Sequence, residues 1–364
     1  MKSHPYVSGR LRLFLPGMVL LIAVLRIYYC FTVPLYTTDV LRNLGYGNEF
    51  RYYGFSVYEQ VPYDFSPEIY QFFWPTREYS YPAVTLLFYA GLARIWASIV
   101  FAKLILTLLD FINAWLIHKI TSDRWCALLY LCHPIGIWFV SHEGQFEALV
   151  NFQMLLAILL LQREKPCSFL LLSLAVQSKF FPILLAPYFL AKAAGHSFRF
   201  LLKSIGWGMV GLLPSVIAAG RSHYLSHFLF PGYVPINNPI SWALFHPGLH
   251  AFTPFWLVLC HWIAGIVFLL AILSFIRWEQ RFLPYLAPLV FVVFVKASPI
   301  GQFWYMLLTP VFCMTVENPR HRRILVGLTI LFGVRSLFTM LIGPVGYRNT
   351  EEIMYILKLG MFGI

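Results

Sequence analysis

The sequence predicts an all-α polytopic membrane protein with about nine spans and one hairpin of two broken half-spans, in a single domain over residues 1–364. Three observations predict it. The chain is 59% hydrophobic and only 12% charged, with a mean hydropathy of +0.70, more apolar than a soluble domain can bury. Apolar runs near the roughly 20 residues that cross a bilayer recur at 11–31, 97–118, 201–219, 252–276 and 324–343, with shorter runs between them. Basic residues gather in the short connections, where fifteen Lys/Arg stand against the four acids Asp123, Glu164, Glu279 and Glu317.

That distribution explains the net charge of +12 without nucleic acid, because the positive-inside rule places those connections in the cytoplasm. The first run is too long for a signal-peptide core and is read as a retained span. It delivers residues 32–80 to the opposite side. This long outer loop holds six of the fifteen acids, only three Lys/Arg and many aromatic residues, which marks it as functional, with helices along the interface.

Residues 81–94 are apolar but short and read as an interfacial or re-entrant helix. Spans follow at 97–118, 125–141 and 146–162. The stretch "SFLLLSLAVQSKFFPILLAPYFLA" then poses a choice. As one span it would carry Lys192, Arg199 and Lys203 outside; as two half-spans meeting at "QSKFFP" it keeps them inside, and Pro182 and Pro187 favour the break. A span to 219, a second outer loop at 220–250 and spans near 252–276, 282–297, 301–316 and 324–343 complete the reading. The six cysteines form no C-x-x-C pair and read as packing residues, with neither a zinc site nor a disulfide framework.

Polar residues stand out at one face of this topology. They are Asp39, the first acid of the chain, the "SHEGQFE" turn at 141–147, Lys179 at the hairpin tip and "KASPIGQFWY" at 296–305. Ionisable groups near a membrane are costly, so their convergence points to a site. Each has a bland reading as well: a helix-flanking acid, a lysine snorkelling to headgroups, a short polar turn, an aromatic interface belt. Asp110, inside the second span, reads as a bundle-pairing residue with Arg26 of the first span as its partner.

The order of the motifs adds to this. "TTDV", "EQVPYDF", "REYSYPAVTLLFY", "CHPIGIWFVSHEGQFEALV", "AVQSKFFPILLAPYFL" and "SPIGQFWYMLLTP" follow one another between residues 36 and 310. In that order they resemble the GT-C superfamily of glycosyltransferases that use polyprenyl-phosphate-linked sugars. The likeness is to the GPI first-mannose mannosyltransferase and to bacterial polyprenol-phosphate mannosyltransferases. The GPI branch carries two closely spaced acids in the first loop, whereas here Val40 and Leu41 follow Asp39, so no metal-binding pair is expected.

The resemblance implies an inverting hexosyltransferase, most simply a mannosyltransferase, acting at the extracytoplasmic face on a polyprenyl-phosphate sugar donor and a lipid or glycan acceptor. Asp39 would be the catalytic base. Lys179, with His142, Arg77 and Lys296, would bind the donor phosphate, and Glu143, Gln145, Gln302 and Trp304 the sugar or acceptor. No cofactor and no metal are predicted, although a divalent ion is compatible with the chemistry, and a small accessory subunit is a further compatible partner. Neither a P-loop nor a G-x-G-x-x-G offers a nucleotide-sugar site. The C-terminal "LKLGMFGI" carries no retention signal, which favours a bacterial plasma membrane over an endoplasmic reticulum membrane. Two other readings compete: a transporter or flippase of a lipid-linked sugar, and a non-catalytic scaffold subunit of a glycan assembly complex.

Overall fold

The computed structural model describes residues 5–34, 39–61, 79, 81–222 and 303–342, with a few positions between 284 and 291. Among these residues every element is helical. The outer-loop segment 62–78, most of the second outer loop and the expected span at 252–276 lie outside the described residues.

The apolar runs become helices close to where the sequence places them. Helix α1 spans Pro5–Cys30 and α2 spans Asp39–Tyr53, with Asp39 in its first turn. Helix α3, Ala83–Trp96, has 14 residues, a rise of about 21 Å that falls short of the roughly 30 Å hydrocarbon core. Helix α4, Ile99–Thr121, has 23 residues and is long and apolar enough to cross a bilayer. Ser98 caps its start, accepting a hydrogen bond from the Phe101 amide at 3.4 Å.

The next run is broken rather than straight. Helix α5, Arg124–Leu131, is capped by Asp123 and stops ahead of Pro134, which cannot donate to a helical ladder. A wide turn of helix at Gly136–His142 follows, bent 56° from α5. Most residues of helix α6, Glu147–Gln162, are buried. Pro214 likewise bends α9, Phe198–Gly211, against α10, Leu213–Ala219, by 41°. By length and composition one helix can cross a membrane, or up to three if each bent pair counts as one span, with shorter apolar helices such as α3 and α6 beside them. The expectation of nine spans is therefore matched only in part among the described residues.

The stretch with two readings is a hairpin. Helix α7, Ser168–Val176, ends at Gln177, a tight 3-10 turn covers Phe181–Leu185, and α8, Ala186–His196, runs back. The return is fixed at both ends. His196 lies 3.2 Å from Glu164, just past the end of α6, while Lys179 at the tip hydrogen-bonds Glu147, at the start of α6. Those two acids sit at opposite ends of a 16-residue helix, about 24 Å apart.

Ion pairs stitch the basic connections together at one end. Arg323 Nε reaches Asp123 at 2.5 Å and Lys192 reaches Glu317 at 2.9 Å, so segments 123, 164, 192–196 and 317–323 form one chain of charges. Helix α11, Pro319–Ile342, starts from this cluster. Burial alone would raise the Asp123 carboxyl, but Arg323, the Cys126 thiol and the Trp125 amide outweigh it and hold it below the ordinary Asp value. A depressed carboxylate stabilises the fold above its unfolded pKa of about 3.9, and that stabilisation disappears as pH falls through the lower folded value. Below about pH 4 the wild-type protein should therefore lose unfolding temperature faster than Asp123→Asn, read as the difference between their acid-side melting curves.

The core is held across helices by a polar network. Arg26 donates to Asp110 at 2.6 Å and to the Leu131 carbonyl at 3.1 Å, and both charged side chains are fully buried. The pairing expected from the sequence is therefore present. Tyr130 donates to the second Asp110 oxygen. Asn151 donates to Tyr130 at 2.9 Å and to the Leu307 carbonyl at 3.1 Å, and Asn113 to the Ala148 carbonyl at 2.9 Å. Gly136 makes room for this, since a Cβ there would lie 2.7 Å from the Arg26 guanidinium.

Candidate functional site

The site lies at the end of the bundle away from the chain of basic connections. It is organised by the turn between the wide helical segment and α6. Glu143, Gly144 and Gln145 return their amides to the Trp138, Val140 and Phe139 carbonyls at 3.0, 3.2 and 2.8 Å. Gly144 sits at φ +76°, and a Cβ there would meet the Val40 side chain at 2.9 Å. Only glycine suits that conformation and that approach. Gly144→Ala should cost at least ~1 kcal/mol and misplace Gln145, which paired measurements of unfolding temperature and activity would detect.

This turn delivers Gln145 to Asp39. Gln145 Nε2 donates to Asp39 Oδ2 at 2.9 Å, and the Tyr81 hydroxyl donates to the same oxygen at 3.1 Å. Oδ1 faces Arg42 at 3.3 Å. The Asp39 side chain keeps 19% of its surface exposed, so it is oriented by three groups yet open on one side. It also stands in the first turn of α2, where the helix dipole favours a negative charge.

An aromatic frame links Asp39 to the hairpin tip. The Tyr81 ring packs edge-on against Phe146 at 4.8 Å. The Lys179 ammonium lies 4.9 Å from the Phe146 ring centre and 4.1 Å from that of Tyr305, and it donates to the buried Glu147 carboxylate. The tip is pinned by the Val84 amide and Thr85 hydroxyl, which donate to the Gln177 and Ser178 carbonyls at 3.3 and 2.8 Å. Ser178 in turn donates to Gln153 at 2.8 Å. Asp39 is close enough for its charge to act on both Glu147 and Lys179.

His142 and Glu143 form a separate cluster on the other side of the turn. His142 Nδ1 lies 2.8 Å from Glu143 Oε1, and the imidazole stacks on Trp138 at 4.4 Å and 13°. Glu143 also acts electrostatically on Lys103, whose ammonium donates to the Thr32 carbonyl at 2.6 Å. The predicted set is thus divided. Asp39, Gln145 and Lys179 come together, and His142 pairs with Glu143. Arg77, Lys296 and Gln302 lie outside the described residues, as does the Trp304 side chain.

Four residues absent from the sequence-based candidates complete the first cluster: Tyr81, Phe146, Glu147 and Tyr305. Glu147 carried a signal, an acid at the first turn of a long apolar run, and Tyr81 precedes the proline that opens α3. Among the described residues no three His, Cys, Asp or Glu side chains are placed to hold a metal ion. No protein-family model matches this chain, and no curated protein matches it by sequence.

Proposed function

We propose that this chain is an integral membrane glycosyltransferase that moves a hexose, most simply mannose, from a polyprenyl-phosphate donor to a lipid or glycan acceptor. The observation that carries the reading is the junction of Asp39 with the Lys179 hairpin tip. An oriented, partly open carboxylate bonded to Tyr81 and an ammonium set against Phe146 border the same pair of packed rings, although they lie far apart in the sequence.

Transfer needs both groups. The acceptor hydroxyl oxygen attacks C1 of the sugar, its proton passes to Asp39, and the bond from C1 to the phosphate oxygen breaks with inversion. Polyprenyl phosphate leaves with its electron pair and Lys179 stabilises the charge. Gln145 and Tyr81 serve by fixing which Asp39 oxygen faces the acceptor, which moves Gln145 from a sugar contact to an orienting one. Glu143 remains a candidate for the sugar or acceptor.

The proposal puts this site at the extracytoplasmic face, a reading supported by the positive-inside rule, since the basic connections gather at the other end of the bundle. The donor is already activated, so neither ATP nor a nucleotide sugar is required. The anomeric configuration of the product provides the test. With a synthetic donor of one known anomer, proton NMR should show the opposite anomer in the product; retention would remove direct displacement with Asp39 as base.

A further inference from the structure

The transfer chemistry calls on Lys179 but gives no part to the residue that holds it. Glu147 is fully buried at the first turn of α6, and Lys179 is only 6% exposed at the hairpin tip. Glu147 Oε1 is the one acceptor that the Lys179 ammonium meets among the described residues. An ammonium carries three donors, and the other surroundings of this one are the faces of Phe146 and Tyr305.

Glu147 Oε2 is buried and makes no hydrogen bond to another side chain among the described residues. One carboxylate oxygen therefore anchors the lysine, while its other N–H groups face rings, which attract the cation without accepting it in a fixed direction. The Ser178 bond to Gln153 holds the adjoining backbone. The cation is thus held by one carboxylate oxygen and two rings, and its remaining N–H groups meet no oxygen acceptor among the described residues.

We infer that Glu147 is a positioning residue, anchoring the Lys179 ammonium so that its remaining N–H groups meet the phosphate of a lipid-linked substrate. This rests on the transferase reading above. Charge-assisted hydrogen bonds contribute about 1.5–3 kcal/mol, so losing the lysine's aim should weaken phosphate binding about tenfold or more.

The test uses the purified full chain and a short-chain polyprenyl phosphate without sugar, followed by intrinsic tryptophan fluorescence. Glu147→Gln and Lys179→Met should each weaken binding about tenfold, and the double variant should bind no worse than Lys179→Met alone, because Glu147 acts through the lysine. Glu147→Asp, which keeps the charge but withdraws the oxygen, should still fold, at a lower unfolding temperature, and bind more weakly, and it decides the matter if a single neutral variant fails to fold. Wild-type binding by Glu147→Asp, or losses that simply add in the double variant, would overturn the inference. Absence of lipid-phosphate binding by the wild-type protein would instead remove the transferase reading, and this inference with it.

Discussion

Asp39→Asn is expected to lower sugar transfer by about 10²–10⁴, the contribution of one positioned general base, with little change in unfolding temperature. The expectation is specific because the amide preserves the shape of the carboxylate. Its carbonyl oxygen can still accept from Gln145 or Tyr81, and the contact it loses, 3.3 Å to Arg42, is a long one on a partly exposed side chain. What it cannot do is take a proton. Initial rates of donor consumption, compared with melting curves of the same preparations, separate a catalytic loss from a folding one. A variant that melts normally and transfers at the wild-type rate would remove Asp39 from the mechanism.

The largest effect on stability is expected at the opposite kind of site, one that touches no substrate. Asp110→Ala leaves Arg26 as an uncompensated charge in a fully buried position, a change that costs about 3–5 kcal/mol. It also removes the acceptor from the Tyr130 hydroxyl. Replacing both partners, as in Arg26→Met with Asp110→Leu, should recover more than half of the loss, since two apolar side chains need no partner. Recovery should stop short of wild type because Tyr130 loses its acceptor even then. Unfolding in detergent of the two single variants and the double variant measures this directly. Additive losses would mean that Arg26 and Asp110 act independently.

This network also has a functional reach. Asn151 ties Tyr130 to the Leu307 carbonyl, and Leu307 lies two residues from Tyr305, whose ring carries the Lys179 ammonium. A core that holds α1, α4, α5 and α6 in register therefore also sets the aromatic wall of the site. Loosening it should reduce activity before it unfolds the protein.

Much of this was legible in the sequence because long apolar helices announce themselves by composition. The runs at 97–118, 146–162 and 324–343 correspond to α4, α6 and α11 within a few residues. The hairpin was legible through two kinds of signal, prolines that cannot continue a helix and charges whose side of the membrane had to be kept. Arg26 and Asp110 were legible as partners because an isolated charge within an apolar run demands one.

The departures arose where a contact depends on facing rather than on composition. In a helix as apolar as α6, with only a few polar residues, the pattern alone does not say which side meets a neighbour. The pairing of His142 with Glu143 rather than with Lys179 follows from the wide turn at Gly136–His142 and from the Trp138 stack, and neither leaves a local mark in the sequence. Pro134 could have warned that 125–141 would break. Glu147 was hidden by its neighbour: Glu143 looks equivalent in "SHEGQFE", yet it pairs with His142 while Glu147 pairs with Lys179.

The proposed reaction consumes an activated lipid-linked hexose at Asp39. Its most direct test is the purified wild-type protein in liposomes with a synthetic polyprenyl-phosphate mannose and a membrane lipid extract as acceptor, without ATP, an ion gradient or a nucleotide sugar. Polyprenyl phosphate should accumulate one for one with a mannosylated product. Donor that remains intact, or that crosses the bilayer unchanged, would contradict it.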